Sequence, residues 1–190
     1  MTVMLKRFKQ WWQQVQHPIP ATMEEFMQVV QIADFEFILR RAKETDIDDI
    51  VAMEEDVFDG VAPWSEAVFR AEIQKERGHL YMTLRHPETN SLVAYIGAIF
   101  RPGIHEVHIT NLAVTPHWQR RQIGTFLLTY LMSLAQQSRY QRISLEVGVH
   151  NQVAQTLYQR LGFQIVRRRR NYYGQGIDAF DMAQLLNRHG

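Results

Sequence analysis

The chain predicts a mixed α/β domain built around one sheet, preceded by a helical arm. From residue 35 onward, strand-length apolar runs alternate with segments of helical periodicity. At 190 residues and 46% hydrophobic, the chain can bury one sizeable core. Its first 35 residues read differently: Met4, Leu5, Phe8, Trp11, Trp12 and Val15 follow helical spacing, with Lys6, Arg7 and Lys9 between them.

Taken in order, Pro18 and Pro20 end that first helix. Thr22 with Glu25 forms a capping-box pattern before Phe26, Met27 and Val30, which predicts a second arm helix. The arm, residues 1–35, is expected to pack on its own domain, with a membrane surface or a partner as the alternatives. Phe35 to Arg41 reads as a strand. Thr45, with Asp48 three residues later, opens a helix carrying Ile47, Ile50, Val51 and Met53. Trp64 to Arg77 is a second helix, entered through Pro63. Three strands follow at His79 to Leu84, Leu92 to Phe100 and Glu106 to Val114. The segment Gln122 to Gln137 places Ile123, Leu127, Tyr130, Leu131 and Leu134 on one helical stripe. A strand at Arg142 to Val147, a helix at Gln152 to Leu161, and strands at Phe163 to Arg170 and Ala179 to Leu185 complete the chain.

Composition narrows the chemistry. No cysteine is present, so disulfides, zinc–thiolate sites and a cysteine nucleophile are excluded. The longest apolar run, Leu92 to Phe100, falls short of the roughly 18 residues of a membrane helix. The N-terminus lacks a secretory h-region and cleavage site, and a soluble, cytoplasmic protein is expected. A net charge of +1 hides an asymmetry: residues 1–100 hold 10 basic and 16 acidic side chains, residues 101–190 hold 11 and 4. All 11 of those bases are arginine, the side chain best matched to phosphate or carboxylate, so the C-terminal half either meets an anion or presents a solvated basic face.

Two segments carry chemistry. In Asn111 to Thr125 a strand ends at Val114, the chain turns at Pro116, and a helix begins near Gln122. The first turn of such a helix offers unpaired N–H groups and a positive dipole end. Gly124 permits close backbone approach, and Arg120 and Arg121 add charge, which together describe a phosphate cradle. With a single glycine it is neither a Walker loop nor a dinucleotide turn. In Leu145 to Phe163, Ile143, Leu145 and Val147 share one strand face and leave Glu146 on the other. That carboxylate faces a cavity or a cation, or pairs with a nearby arginine. Asn151 can cap the following helix, and Tyr158 lies on its inward side beside Leu157 and Leu161, where a core role is the ordinary one.

Together these segments resemble the GNAT family of acetyl-CoA-dependent N-acetyltransferases. The family's pyrophosphate signature, Gln/Arg-x-x-Gly-x-Gly/Ala, reads here Gln119-Arg-Arg-Gln122-Ile-Gly124, with Gln122 at the first glycine. The likeness narrows to the bacterial RimI group of N-terminal protein acetylases. Its Leu-Glu-Val, Asn and Ala-x-x-Leu-Tyr-x-x-x-Gly-Phe pattern spans Leu145 to Phe163. Arg-Arg-Asn-Tyr-Tyr lies at Arg169 to Tyr173, Asp178, Ala179 and Met182 follow, and Pro-Trp-Ser-Glu lies upstream at Pro63 to Glu66. The match covers about residues 36–185. It departs from the group at Gly148, where the group has arginine, in a shorter loop after Tyr173, and in the arm.

The resemblance implies a mixed, mostly antiparallel sheet flanked by helices, in a domain of residues 36–190. It implies that Leu112, Ala113 and Val114 pair their backbone with the pantetheine arm of acetyl-CoA. Arg120, Arg121, Gln122, Ile123, Gly124 and Thr125 would hold its pyrophosphate, and Asn151 would touch the cofactor. Glu146 would be the general base, working through water, and Tyr158 the general acid toward the CoA thiolate. Trp64, Tyr172 and Tyr173 would bind a peptide N-terminus, in the group that of the eighteenth small-subunit ribosomal protein. Lysine or small-molecule acceptors, and a non-catalytic acetyl-CoA-binding module, are the alternatives. An α-amine suits a modest base, because its pKa lies about 2.6 units below that of lysine, worth roughly 3.5 kcal/mol.

Remaining candidates fall away. His105 and His108 point to opposite faces of a strand and share no metal, and His117 and His150 read as exposed. Arg167 to Arg170 split between two strand faces, which makes no continuous patch for nucleic acid.

Overall fold

In the computed structural model, which describes residues 25–57, 64–75, 77–174 and 176–186, the chain runs β1 (Met27–Ile32), β2 (Phe35–Arg41), α1 (Ile47–Val57), α2 (Glu66–Ile73), β3 (His79–Arg85) and β4 (Leu92–Arg101). It continues through β5 (Glu106–Val114), α3 (Ile123–Gln137), β6 (Arg142–Gly148), α4 (Gln152–Arg160), β7 (Gln164–Arg169) and β8 (Ala179–Leu185). All eight strands join one sheet in the order β1-β2-β3-β4-β5-β6-β8-β7. Every pairing is antiparallel except that of β5 with β6, whose parallel register requires the crossover through α3.

Alternation along the strands divides the core between the two faces. Leu80, Met82 and Leu84 of β3, Ile96 and Ala98 of β4 and Ile143, Leu145 and Val147 of β6 pack with Ile123, Leu127 and Leu131 of α3 and with Tyr158 of α4. On the opposite face Tyr81, Tyr95 and Ala113 meet Ile47, Ile50 and Met53 of α1 and Phe69 of α2. A buried ion cluster secures the first helix to the sheet. Arg85 of β3 reaches Asp46, just before α1, at 2.5 Å, and Arg40 of β2 reaches it at 2.6 Å.

Three expectations are corrected. The predicted second arm helix is instead β1, paired over its whole length with β2 from Met27↔Arg40 to Ile32↔Phe35. β-branched Val29, Val30 and Ile32 favour a strand, and the two-residue turn Ala33–Asp34 closes the hairpin with Ala33 at φ +50°. Residue 35 is therefore no boundary, since the hairpin crosses it. The predicted helix over residues 4–15 lies outside the described residues. The second core helix, expected over 64–77, is confined to Glu66–Ile73, with Gln74 as its C-cap.

One irregularity shapes the site. Between β4 and β5 the register steps from Gly97↔Asn111 to Ala98↔Ile109, leaving Thr110 as an extra residue. Gly97 is obligatory there: a Cβ would stand 2.3 Å from the Tyr81 ring and 2.8 Å from Thr110 Oγ1. Beyond this point β5 parts from β6. Their ladder holds only Glu106↔Arg142, Val107↔Ile143 and His108↔Ser144, and then the strands diverge.

Candidate active site

The divergence opens a cleft at the C-terminal ends of two adjacent parallel strands, where open α/β sheets commonly bind ligands. One wall is the end of β5. Leu112, Ala113 and Val114 pair with Ile96, Tyr95 and Ala94 of β4 on one edge. No strand among the described residues pairs with their other edge, whose backbone groups face the cleft.

The turn after β5 supplies a second wall. Gln119 donates its side-chain amide to the Val114 carbonyl at 3.0 Å. Arg120 and Gln122 adopt left-handed backbone at φ +60° and +64°. Alternating left-handed residues orient successive N–H groups into an anion-binding concavity. Gln122 occupies the N-cap position of α3 without a side-chain cap bond, so the first N–H groups of α3 have no cap from it. Ile123 is buried in the core, leaving only its backbone for a ligand. A Cβ on Gly124 would meet Leu157 of α4 at 3.3 Å, so glycine lets the two helices approach. Arg121 stacks its guanidinium over Phe35 at 5.1 Å and Trp118 at 5.2 Å.

Glu146 lies on β6 between Leu145 and Val147, which are buried with Tyr158. Alternation therefore sends its carboxylate to the other face. There His108 Nε2 stands 3.1 Å from Oε2 and Arg169 Nη2 3.3 Å from Oε1. Burial pushes the carboxyl upward, but the His108 hydrogen bond and the nearby Arg169 outweigh it and hold Glu146 below the usual carboxylate range. Asp181 is its cross-strand neighbour on β8 and is itself neutralised by Arg167 at 2.5 Å and Arg169 at 2.6 Å. Arg168 meets Asp178 at 2.6 Å, so three residues of the arginine run are paired within the sheet.

Tyr158 approaches from the other side. It packs on Phe163 with ring centroids 5.8 Å apart, and burial pushes its hydroxyl up to about 12. The strand alternation places Glu146 and Tyr158 on opposite faces of the sheet. Tyr173 spans the gap: its hydroxyl donates to the Glu146 carbonyl at 3.3 Å, and burial, Tyr172, Glu146 and Tyr158 together push its ionisation upward. Tyr172 stacks edge-on to Tyr173 at 4.8 Å and lies under Arg169 at 5.2 Å. Both tyrosines are exposed at the cleft mouth. Asn151 caps α4 by accepting the Ala154 N–H at 3.0 Å. Trp64 packs against Phe69 in the α1–α2 core at 5.5 Å, and no contact among the described residues joins it to Glu146.

Ser144 and Asp181 were not singled out from the sequence, which weighed His108 only as a metal ligand and Arg169 only within its motif and the arginine run. Glu146 and Ser144 share a face of β6 by their spacing of two. His108 joins them only through the parallel register, which the sequence does not display. His105, assigned to the same strand, instead ends a 3₁₀ turn at φ +49°.

The parallel strands that part after His108 and Ser144, the N–H-rich turn at a helix start, and the carboxylate and buried tyrosine on the two faces of β6 accompany a family match. Residues 47–163 match the acetyltransferase (GNAT) family. The chain is 35% identical over 131 residues to an N-alpha-acetyltransferase RimI of Mycobacterium tuberculosis, covering 68% of this chain and 80% of that one. It is 32% identical over 111 residues to the ribosomal protein bS18-alanine N-acetyltransferase of Escherichia coli K12, covering 58% and 71%. The crystal structure of the Escherichia coli ribosomal-protein-S18-alanine N-acetyltransferase superposes with a TM-score of 0.69 at 27% identity, over 81% of this chain and 96% of that one. A family match spanning more than half the sequence, on a fold that superposes at a TM-score of 0.69, places the chain in the GNAT family of acetyl-CoA-dependent N-acetyltransferases.

Proposed function

We propose that this enzyme transfers the acetyl group of acetyl-CoA to the N-terminal α-amine of a protein, and that a ribosomal protein in the cytoplasm is the target. The observation that carries the reading is Glu146, a half-enclosed carboxylate at the divergence of β5 and β6, opposite Tyr158 and under the exposed pair Tyr172 and Tyr173.

Acetyl-CoA enters with its pyrophosphate on the N–H groups of residues 120–125, where Arg120 adds charge, and with its pantetheine arm along Leu112, Ala113 and Val114. Asn151 lies at the α4 end of this track. The amine nitrogen attacks the thioester carbonyl carbon directly, since the chain has no cysteine to carry the acetyl group. The nitrogen's proton passes through water to Glu146, and the C–S bond breaks with its electron pair on sulfur. Tyr158 donates to that sulfur. A thiol's ordinary pKa is about 8.5, well below the Tyr158 value of about 12, so Tyr158 stabilises the thiolate as a hydrogen-bond donor rather than surrendering its proton.

Glu146 also favours an α-amine over lysine. A carboxylate held below its usual range is a weak base, and deprotonating lysine costs roughly 3.5 kcal/mol more than deprotonating an α-amine. Tyr172 and Tyr173, exposed beside Glu146, form the peptide side of the site, while Trp64 lies in the α1–α2 core.

Glu146→Gln and Tyr158→Phe test the assignment. Transfer should fall by about 10²-fold or more, the scale of a lost proton-transfer group for Glu146 and of a lost transition-state hydrogen-bond donor for Tyr158, while acetyl-CoA affinity persists. If both variants transfer at the parent rate, the catalytic roles are wrong; a chain that binds acetyl-CoA without transferring it would be a binding module.

A further inference from the structure

His108 sits outside the machinery described so far, yet it lies in a continuous chain of side chains ending on the carboxylate. Its Nδ1 is 2.9 Å from Ser144 Oγ, and its Nε2 is 3.1 Å from Glu146 Oε2. An ionised carboxylate only accepts hydrogen bonds, so Nε2 carries the hydrogen. With the imidazole neutral, Nδ1 is then an acceptor, and the Ser144 hydroxyl donates to it. Ser144 thereby fixes the tautomer of His108, and His108 fixes the carboxylate.

We propose that His108 is a positioning residue for acetyl transfer: with Ser144 it forms a relay that orients Glu146 through Oε2, while Oε1 meets Arg169 at 3.3 Å. The inference rests on Glu146 being the base. Two geometric facts support it. His108 and Ser144 are the final matched pair of the only parallel ladder in the sheet, so backbone pairing sets their separation just before the strands part. The His108 and Glu146 side chains are only 13% and 11% exposed, which keeps water from replacing their bond. Arg169, the other cation at Glu146, is less suited to the task. It holds Asp181 at 2.6 Å, touches Glu146 only at 3.3 Å, and is 37% exposed.

The test uses steady-state kinetics of the full chain with acetyl-CoA and an α-amine peptide. The amide nitrogen of glutamine reaches the place of Nε2, whereas that of asparagine reaches only the place of Nδ1. His108→Gln should keep kcat within about 3-fold of the parent. His108→Asn should lose about 10- to 100-fold, part of the roughly 10²–10⁴ a positioned base contributes, with the KM for acetyl-CoA unchanged. In a Glu146→Gln background His108→Asn should cost nothing further, because its effect passes through that carboxylate. Equal effects of Gln and Asn, or an undiminished loss in the Glu146→Gln background, would overturn the proposal. Parent-like transfer by Glu146→Gln alone would remove the base assignment itself, a distinct failure. Should His108→Asn not fold, Ser144→Ala decides. It should lower kcat in the parent but not in His108→Gln, which has no tautomer to fix; an equal cost in both refutes the relay.

Discussion

Gln122 pairs a backbone strain with a proposed phosphate-binding position, and Gln122→Gly should relieve one without harming the other. The residue stands at φ +64° and ψ +5°, the left-handed region, at the start of α3. A non-glycine residue there costs roughly 1–2 kcal/mol because Cβ crowds the following carbonyl. Glycine removes that cost but adds unfolded-state entropy worth about 0.4–1 kcal/mol. The side chain is exposed and makes no cap bond, so little else is lost. The balance is a gain of about 0.5–1 kcal/mol, which for a chain of this size raises Tm by about 1–4 °C. Gln122→Ala keeps the Cβ and should give no gain. The bare turn also opens the N–H groups of the concavity, so acetyl-CoA should bind equally well or more tightly. Thermal unfolding and titration calorimetry on the two variants read both effects. A lower Tm for Gln122→Gly would refute the strain argument. A clear loss of affinity would show that the glutamine side chain itself holds phosphate.

Other perturbations have expected outcomes of similar definiteness. Gly97→Ala forces a Cβ into the Tyr81 ring at 2.3 Å and should cost about 1–3 kcal/mol of stability, measured by urea unfolding, with impaired transfer because the β5 bulge shifts. Asp46→Asn removes the carboxylate shared by Arg40 and the buried Arg85, which keeps Asp49 at 2.6 Å, and should cost about 1.5–3 kcal/mol. Burial raises the Asp46 pKa, but Arg40, the Lys43 N–H and Arg85 bring it below its ordinary value. Its contribution is therefore full above the unfolded carboxyl pKa and disappears as pH falls through the lower folded value, so acid unfolding of the variant should lack that component. Asn151→Ala removes the α4 cap and should lower stability by about 1 kcal/mol, with acetyl-CoA titration reporting whether the same residue touches the cofactor.

The parts of the fold written in local pattern were legible from sequence. Strands β5 and β8 have the expected bounds, because apolar alternation there runs between clear turn residues. α3 starts one residue later than its apolar stripe suggested, since Gln122 is the left-handed entry rather than the first helical turn. β1 was misread because Phe26, Met27 and Val30 also satisfy helical spacing. Pairing with β2, a tertiary event, decides between the two periods, and Ala33–Asp34 lacks the glycine or asparagine that announces a tight hairpin.

The candidate site divides in the same way. Glu146 stands out because a carboxylate interrupts an apolar strand, and the turn at 119–124 because of its signature. His108 gives no such signal, since a histidine three residues into a strand is unremarkable until β6 is laid beside it in register. The positive φ at Gln122 was likewise hidden: the sequence shows a glycine replaced, while the backbone shows what that replacement costs. Asn151 takes its expected capping role at the N-terminus of α4.

The central claim is that the acceptor is a protein α-amine. Mass spectrometry of acetyl transfer to a degenerate mixture of free-α-amine peptides, in competition with N-terminally blocked lysine peptides, tests it directly. Acetyl groups found on α-amines, and absent from lysine side chains, are the predicted result. Acetylation confined to lysines would contradict it.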